Sequence, residues 1–182
     1  MTTVPSPPPE FSRSYARADV SSVPLAAEIA ASPDECAALA RRFDLLGISA
    51  LTAKATLVVR HHQLLVEGRF QAKVTQACVA SGEPVVAKLA QPFMLRFIDE
   101  TALGGAPELE LTLDDYDDMP LSTDSHGELT LDLGEAVAQS LLLALPRFPR
   151  GPNAARTLRD AGVVQEGEEI RGAFAGLKDL LR

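Results

Sequence analysis

The sequence predicts an α+β fold, in which an antiparallel sheet built on one long hairpin is packed by an N-terminal helix and by a leucine-rich helix in the C-terminal half. Three observations support this prediction. Residues 64–97 carry the longest pattern of alternating apolar and polar residues in the chain. Helix-start signals stand at Ser32 and Asp132. The 182 residues, 46% of them hydrophobic, are enough to bury the core of one domain.

Composition divides the chain into three expected segments. Residues 1–12 form a proline-rich tail that we expect to be disordered, because four of the 13 prolines lie there and few residues can pack. Residues 13–160 form the single α+β domain. Residues 161–182 form a polar linker and a C-terminal amphipathic helix.

The first helix is predicted to begin after Ser32, because the sequence Ser-Pro-Asp-Glu combines an N-cap serine, a proline at the first helical position and a glutamate that closes a capping box. Gly47 is predicted to end this helix as a C′ glycine. A strand follows from Ile48 to Val59, and it is expected to pair with the hairpin across the turn at residues 60–63.

The hairpin runs from Leu64 to Phe97, with its turn at residues 81–84. Gly68 predicts a bulge or bend in the first arm, and Pro92 predicts an edge position or a bulge in the second. The residues expected to face the core are Leu64, Val66, Phe70, Ala72, Val74 and Cys78 in the first arm, and Val85, Ala87, Leu89, Phe93, Leu95 and Phe97 in the second.

After the hairpin the pattern weakens. Leu109, Leu111 and Leu113 predict a short strand, and the segment DDYDDMP at residues 114–120 is interpreted as an exposed acidic loop. A capping box at Asp132 opens the second helix, which Pro146 ends. The leucines near its end extend to several faces, so this helix is expected to be sandwiched in the core or covered by a partner.

Charge is unevenly distributed along the chain. The formal net charge is −8, which argues against nucleic-acid binding through a basic surface as a whole. Ten acidic residues and no Lys or Arg lie between Phe97 and Leu129, whereas residues 146–182 hold seven basic and five acidic residues. No run of about 18 apolar residues and no leader pattern is present, so we expect a cytoplasmic protein that does not enter a membrane.

Cys78 is the first candidate for chemistry, because it ends a strand just before a glycine turn. A catalytic cysteine needs a base, and none of His61, His62 and His126 is linked to it by a motif. An inert, buried thiol is therefore favoured, with a thiol enzyme kept as a third possibility. Adjacent histidines on an extended chain point to opposite faces, so no metal site is predicted.

Two charged clusters remain as candidate binding sites. The acidic cluster Asp114, Asp115, Asp117 and Asp118 lacks the pattern of a calcium loop, and it is interpreted as a solvated loop or as a docking site for a basic partner. The arginines on the proline-stiffened segment after the second helix are either solvated surface or a candidate RNA contact through their guanidinium groups; they are Arg147, Arg150, Arg156 and Arg159.

The block VEGRFQAKVTQACVASGEPVVAKLAQPFMLRF, the acidic segment after it, DLGEAVAQSLLLALPRFPR and the terminal AFAGLKDL together resemble the YceD family of large ribosomal RNA subunit accumulation proteins. The resemblance covers roughly residues 26–181, and its N-terminal part looks like the alphaproteobacterial branch. It implies a bacterial ribosome biogenesis factor that supports accumulation of 23S rRNA and has no known catalytic activity.

One departure from the family pattern concerns metal. Many relatives carry C-x-x-C in the hairpin and further cysteines after the second helix, a pattern typical of zinc sites, whereas here Cys78 is followed by Val79-Ala80-Ser81 and residues 146–158 hold no cysteine. We therefore predict no cofactor, no metal and no small-molecule substrate. The leading hypothesis is a non-enzymatic factor that binds pre-ribosomal RNA or a ribosomal protein; the alternative is an acidic protein-protein adaptor without RNA contact.

Overall fold

A computed structural model describes residues 9–60, 63–98, 116–124 and 126–163. Within these ranges the α+β class is confirmed. The helices are α1 (Pro33–Arg42), α2 (Leu133–Ala144) and α3 (Ala154–Asp160). The strands are β1 (Ser14–Ala16), β2 (Leu25–Ala30), β3 (Gly47–Arg60), β4 (Gln63–Ala77), β5 (Pro84–Ile98), β6 (Asp117–Pro120), β7 (Ser122–Thr123) and β8 (Leu129–Asp132).

The larger sheet has five strands in the order β2-β3-β4-β5-β6. Strand β3 pairs antiparallel with both β2 and β4, and Arg60 lies opposite Gln63 at the predicted turn. Only six residues connect β4 to β5, which is too short for a parallel crossover. The predicted hairpin is therefore confirmed as the centre of the sheet, although β2 was missed because its six residues lack a clear alternation.

Alternation places one row of side chains from each long strand in the core. The predicted core residues of β4 are all buried, and those of β5 are buried or half-buried. Apolar burial of this kind contributes about 25 cal/mol per Å² and is the main reason that the strands adopt this register. In the central part of the sheet the opposite row is exposed among the described residues, so the sheet has one packed face and one open face there.

Gly68 does not form the predicted bulge. It lies in regular register with Ala55, and the register shift of β3 falls between Ile48 and Ala50 instead. A Cβ atom at Gly68 would lie 2.6 Å from Phe93 Cζ and 2.5 Å from Lys54 O. The glycine is therefore needed because the Phe93 ring packs directly on the strand.

The capping box that begins α1 is confirmed. Glu35 N donates to Ser32 Oγ over 3.3 Å, and Ser32 N donates to Glu35 Oε2 over 2.7 Å. The predicted end at Gly47 is wrong, because the helix closes at Asp44, which adopts a φ of 52°. Leu45 N donates to Ala40 O and Asp44 N to Arg41 O, which is the Schellman pattern with aspartate in the left-handed position.

The N-terminal segment joins the core before the first strand. Phe11 is fully buried, and Arg13 N donates to Asp132 Oδ1 over 2.8 Å. The small sheet β1-β8-β7 then pairs β1 antiparallel with β8. A Cβ atom at Gly134 would collide with the carbonyl oxygen of Phe11, so the glycine permits the close approach of this segment to α2.

Asp132 caps α2 by accepting from Glu135 N over 3.1 Å. The Glu135 side chain, which the predicted capping box required, instead accepts two hydrogen bonds from Arg42. Leu133, Val137 and Leu141 are fully buried, whereas Leu142 and Leu143 are exposed. The helix therefore buries one apolar stripe, and Leu142 and Leu143 lie outside the core.

The predicted acidic loop is wrong over Asp117–Pro120, which form β6, parallel to β5 along Leu95–Ile98. Met119 is buried in this strand and supplies the apolar contact that keeps it on the sheet. Pro92 has no amide hydrogen to donate to a neighbouring strand, and it lies in the part of β5 that β6 does not pair with. This agrees with the predicted edge position. Several predicted features fall outside the described residues: the strand predicted at residues 109–113, His61 and His62, and residues 164–182 of the linker and amphipathic helix predicted at 161–182. Ser125 also lies outside them.

The chain divides into two compact units. The first comprises residues 1–76 and 86–146 and holds both sheets, α1 and α2. The second comprises residues 77–85 and 147–182, of which 77–85 and 147–163 are described. Among all the described residues, no helix is long and apolar enough to cross a membrane.

Candidate nucleic-acid interface

The second unit carries all four arginines that were predicted to contact RNA. We call residues 147–153 the arginine loop; α3 follows it directly. Pro149 and Pro152 restrict the backbone of the loop, and Ala154, the first residue of α3, is buried. The side chains of all four arginines are exposed to solvent, so their guanidinium groups are accessible to a ligand.

The arginine loop is held against the hairpin tip at residues 77–85 of the same unit. Val79 N donates to Pro149 O over 3.0 Å, and Gly151 N donates to Cys78 Sγ over 3.3 Å. The side-chain amide of Asn153 donates to both carboxylate oxygens of Glu83, over 3.0 and 3.1 Å. Contacts at both ends therefore fix the path of the loop without using any of its arginines.

The four arginines differ in how far they are engaged. Arg156 and Asp160 form an exposed ion pair of 3.7 Å, and Arg159 Nε donates to Ala155 O over 3.3 Å. Arg147 and Arg150 make no side-chain hydrogen bond or ion pair with any residue that the structure describes. An exposed pair such as Arg156–Asp160 contributes about 0.3–0.5 kcal/mol, so it could exchange for a phosphate at little cost.

Phe148 is a candidate site residue that the sequence reasoning missed. Its side chain is 76% exposed, and it stands between Arg147 and Arg150 in the sequence Arg-Phe-Pro-Arg. Exposed aromatic rings beside arginines are typical of sites where an unpaired base stacks on the ring while guanidinium groups contact phosphates. The signal was visible in the sequence, since the ring follows the end of α2 and belongs to no apolar stripe.

Cys78 lies at the base of the same unit. Its predicted burial is confirmed, with 3% of its surface exposed. Hydrogen bonds from the Gly151 amide, then from the Ser81 side chain and the Ala80 and Ser81 amides, lower the pKa of Cys78 to about 7. The thiol is thus partly ionised at neutral pH but shielded from reagents.

The contacts around Cys78 also show why the zinc-site pattern implied by the family resemblance does not fit this chain. The arginine loop and the hairpin tip, where the family resemblance implies further cysteines, come together here at Cys78. Ser81 stands where a second cysteine would be, and a single thiol lacks the set of thiolate or imidazole ligands that zinc needs. In the described part of the chain, no three His, Cys, Asp or Glu residues are grouped so that they could hold a metal ion.

The acidic docking cluster is only partly within the described residues. Asp114 and Asp115 lie outside them. Asp117 is exposed on β6, and Asp118 accepts a hydrogen bond of 2.6 Å from Arg96 Nε. Asp117 is therefore the described member of the cluster that carries no such ion pair, and docking at this cluster stays a prediction.

Comparison with known proteins gives one match. The family model described as large ribosomal RNA subunit accumulation protein YceD matches residues 66–181, which is more than half of the chain. No curated protein and no solved structure matches significantly. The matched range includes the hairpin, the second helix and the arginine loop.

Proposed function

Because the chain belongs to the YceD family of large ribosomal RNA subunit accumulation proteins, we propose that it is a non-enzymatic ribosome biogenesis factor that supports accumulation of 23S rRNA in the bacterial cytoplasm. The proposed mechanism is direct contact with pre-ribosomal RNA through the arginine loop and α3. One observation carries this choice: Phe148 is exposed between two arginines that have no partner among the described residues.

The chemistry of the loop favours unpaired RNA. A stacked base gains about 1–3 kcal/mol on an aromatic ring, and every base offers a face for this contact. Guanidinium groups such as those of Arg147 and Arg150 bind phosphate oxygens through two parallel hydrogen bonds. The hydrogen bonds from Val79 and Gly151 hold the loop before RNA arrives, so little ordering of the backbone is required on binding.

Binding of a labelled single-stranded RNA to the full chain tests this mechanism. Phe148→Ala should weaken binding roughly 5- to 150-fold, the equivalent of 1–3 kcal/mol. Changing Arg147, Arg150, Arg156 and Arg159 to Glu together should abolish binding at moderate salt. The single variant Arg147→Glu should weaken binding and flatten the salt dependence by about 0.7 in the log–log slope.

Arg41→Glu is the matched control for Arg147→Glu, because Arg41 is an exposed cation on α1 and undergoes the same charge change. Equal losses for Arg41→Glu and Arg147→Glu would mean that only net charge matters, which contradicts a defined loop contact. For the biological role, deletion of the gene should lower the ratio of mature large-subunit to small-subunit rRNA. An unchanged ratio would refute it.

A second candidate function is the acidic adaptor without RNA contact. Leu143 is 80% exposed and Leu142 is 46% exposed on the last turn of α2, which is unusual for a helix whose other face is fully buried. Affinity capture from cells, with and without ribonuclease, distinguishes the two functions. Protein partners that survive ribonuclease and disappear with Leu143→Ser favour the adaptor, whereas loss of all partners after ribonuclease favours RNA contact.

The acidic cluster supplies a possible second contact for the RNA factor. Asp114, Asp115, Asp117 and Asp118 would attract a basic ribosomal protein by charge complementarity. Asp117→Asn tests this contact with the least disturbance, because Asp118 is paired with Arg96 and its replacement would also loosen β6. Unchanged capture of ribosomal proteins by Asp117→Asn together with Asp114→Asn and Asp115→Asn would remove the docking proposal.

A further inference from the structure

The open face of the five-stranded sheet belongs to the first unit, whereas the arginine loop and α3 belong to the second. We call its outward-pointing row on β3, β4 and β5 the outer sheet face. All of its members in the central part of the sheet are exposed: Thr52, Lys54, Thr56, Arg69, Gln71, Lys73, Val86, Lys88 and Ala90. Four of these nine residues are cations, and two acids border them: Glu67 lies on the same row of β4, opposite Thr56, and Glu28 of β2 lies opposite Lys54. These eleven residues together carry a net charge of +2, although the whole chain carries a net charge of −8.

The register of the sheet places like charges next to each other. Lys54 lies directly opposite Arg69 in the β3–β4 pair, where Cβ atoms of facing residues are about 4.5–5.5 Å apart. Facing like charges destabilise a sheet. Glu28 offsets this only in part, through an exposed ion pair of 3.1 Å with Lys54. Arg69 Nη1 also donates to Ala90 O over 3.4 Å, so each of the two cations has one contact within the sheet and remains exposed.

The other two cations of the outer sheet face are Lys73 and Lys88. Lys73 and Lys88 make no side-chain hydrogen bond or ion pair within the described ranges. They line a shallow depression of about 360 Å³ on this face, together with Thr52, Gln71 and the apolar residues Ala50, Ala72, Leu89 and Ala90. The two ammonium groups can donate hydrogen bonds to an anion that lies over the depression.

The shape and composition of the face indicate which anion. Arg69 and Lys73 are four residues apart on β4, or about 14 Å along an extended strand, so the cations are spread over a surface larger than a small ligand. None of its nine residues is aromatic, so unpaired bases have no ring to stack on. Double-helical RNA, in contrast, is recognised mostly through its phosphates and 2′-hydroxyl groups.

We propose that the outer sheet face binds the sugar-phosphate backbone of double-helical RNA through Lys54, Arg69, Lys73 and Lys88. This inference rests on the proposed function for the presence of RNA, and it adds a second, chemically different contact. The arginine loop would hold an unpaired segment, and the outer sheet face would hold a duplex. Such a division suits ribosomal RNA, in which helices and loops alternate.

The test compares two RNA probes with the full chain: a hairpin with a duplex of about 16 base pairs and a single strand of the same length. Lys73→Gln/Lys88→Gln should weaken binding of the duplex about tenfold or more. It should also flatten the log–log salt dependence by about 2, one for each lost phosphate contact, and leave single-strand binding unchanged. Phe148→Ala should instead weaken binding of the single strand and leave binding of the duplex unchanged.

Comparing duplex binding by Lys88→Glu and by Arg41→Glu gives the matched charge control, because both variants undergo the same charge change. Circular dichroism of each variant checks that the sheet is intact. Duplex binding that is unaffected by the Lys73 and Lys88 changes overturns this inference, while single-strand binding lost with Phe148→Ala keeps the proposed function in place. A wild-type chain that binds neither probe overturns both. Binding of polyglutamate as tightly as the duplex would indicate an acidic protein partner and also overturns the inference.

Discussion

The ion pair between Glu35 and Arg13 allows the most quantitative prediction. Glu35 accepts hydrogen bonds from Arg13 Nη1 over 2.8 Å and from Arg13 Nη2 over 3.0 Å, in addition to its capping bond from Ser32 N. This two-point contact ties the N-terminal segment to the first turn of α1. The hydrogen bond from Arg13, opposed in part by desolvation, lowers the pKa of Glu35 from 4.5 to about 2.

The magnitude follows from that shift. Each pKa unit corresponds to about 1.4 kcal/mol, so the shift sets a ceiling of roughly 3 kcal/mol on the stabilisation by the charged form. The side chains of Glu35 and Arg13 are 22% and 35% exposed, so solvent screens the pair and we expect about 1–2 kcal/mol. Glu35→Gln should lower the free energy of unfolding by this amount at pH 7, because the amide keeps the capping geometry but not the charge.

The sign of the pH dependence is fixed by the depressed pKa. Glu35 binds a proton more readily in the unfolded chain, so its contribution is complete above pH 4.5 and is lost as the pH falls through about 2. More than half should be lost by about pH 3. The difference in free energy of unfolding between wild type and Glu35→Gln should therefore shrink over this interval.

Urea denaturation followed by circular dichroism at pH 7, 5, 3 and 2.5 measures this difference. Asp34→Asn is the control, since Asp34 is an exposed carboxylate in the same helical turn and should contribute only about 0.3–1 kcal/mol through the helix dipole. Glu35→Ala should cost about 1 kcal/mol more than Glu35→Gln, because it also removes the capping bond. A difference between wild type and Glu35→Gln that is the same at pH 2.5 as at pH 7 would refute the reasoning.

Two further predictions concern packing and the thiol. Gly134→Ala should destabilise the protein by about 1–3 kcal/mol in urea denaturation, because its Cβ atom would collide with backbone atoms of Phe11; Gly47→Ala, with no atom within 4 Å, should not. An equal effect of both changes would contradict this account. The thiolate absorbance of Cys78 in the folded Cys36→Ala protein should titrate with a pKa of about 7, and Ser81→Ala should raise that pKa. A titration midpoint near 9 in the Cys36→Ala protein would show that the Gly151 amide does not stabilise the thiolate.

Local signals in the sequence predicted the parts of the fold that depend on local chemistry. The start of α1 follows from the Ser32 and Glu35 pair, and the buried faces of β3 and β4 follow from alternation. The end of α1 was misplaced because a Schellman turn needs one left-handed residue, and Asp44 supplied it before Gly47 could. The role of Gly68 could not be foreseen, because it depends on the distant Phe93.

The candidate sites also differ in whether they depend on residues that are close in sequence or on residues that only the fold brings together. The arginines of the loop were recognised as a cluster because they are close in sequence. The outer sheet face was not, since Lys54, Arg69, Lys73 and Lys88 come from three strands and become neighbours only through the register. Phe148 was overlooked for a different reason: an aromatic residue is usually buried, and its position outside every apolar stripe was given no weight.

A net charge of −8 alone argues against binding of nucleic acid, but the acidic and basic residues are unevenly distributed along the chain. Ten of the 25 acids lie in one continuous stretch of sequence between Phe97 and Leu129, which contains no Lys or Arg. The cations of the outer sheet face point away from the core on one side of the sheet. Because the Debye length is about 8 Å at physiological ionic strength, RNA on that face responds mainly to charges within that distance. Raising the salt concentration should therefore weaken both RNA contacts, despite the overall negative charge.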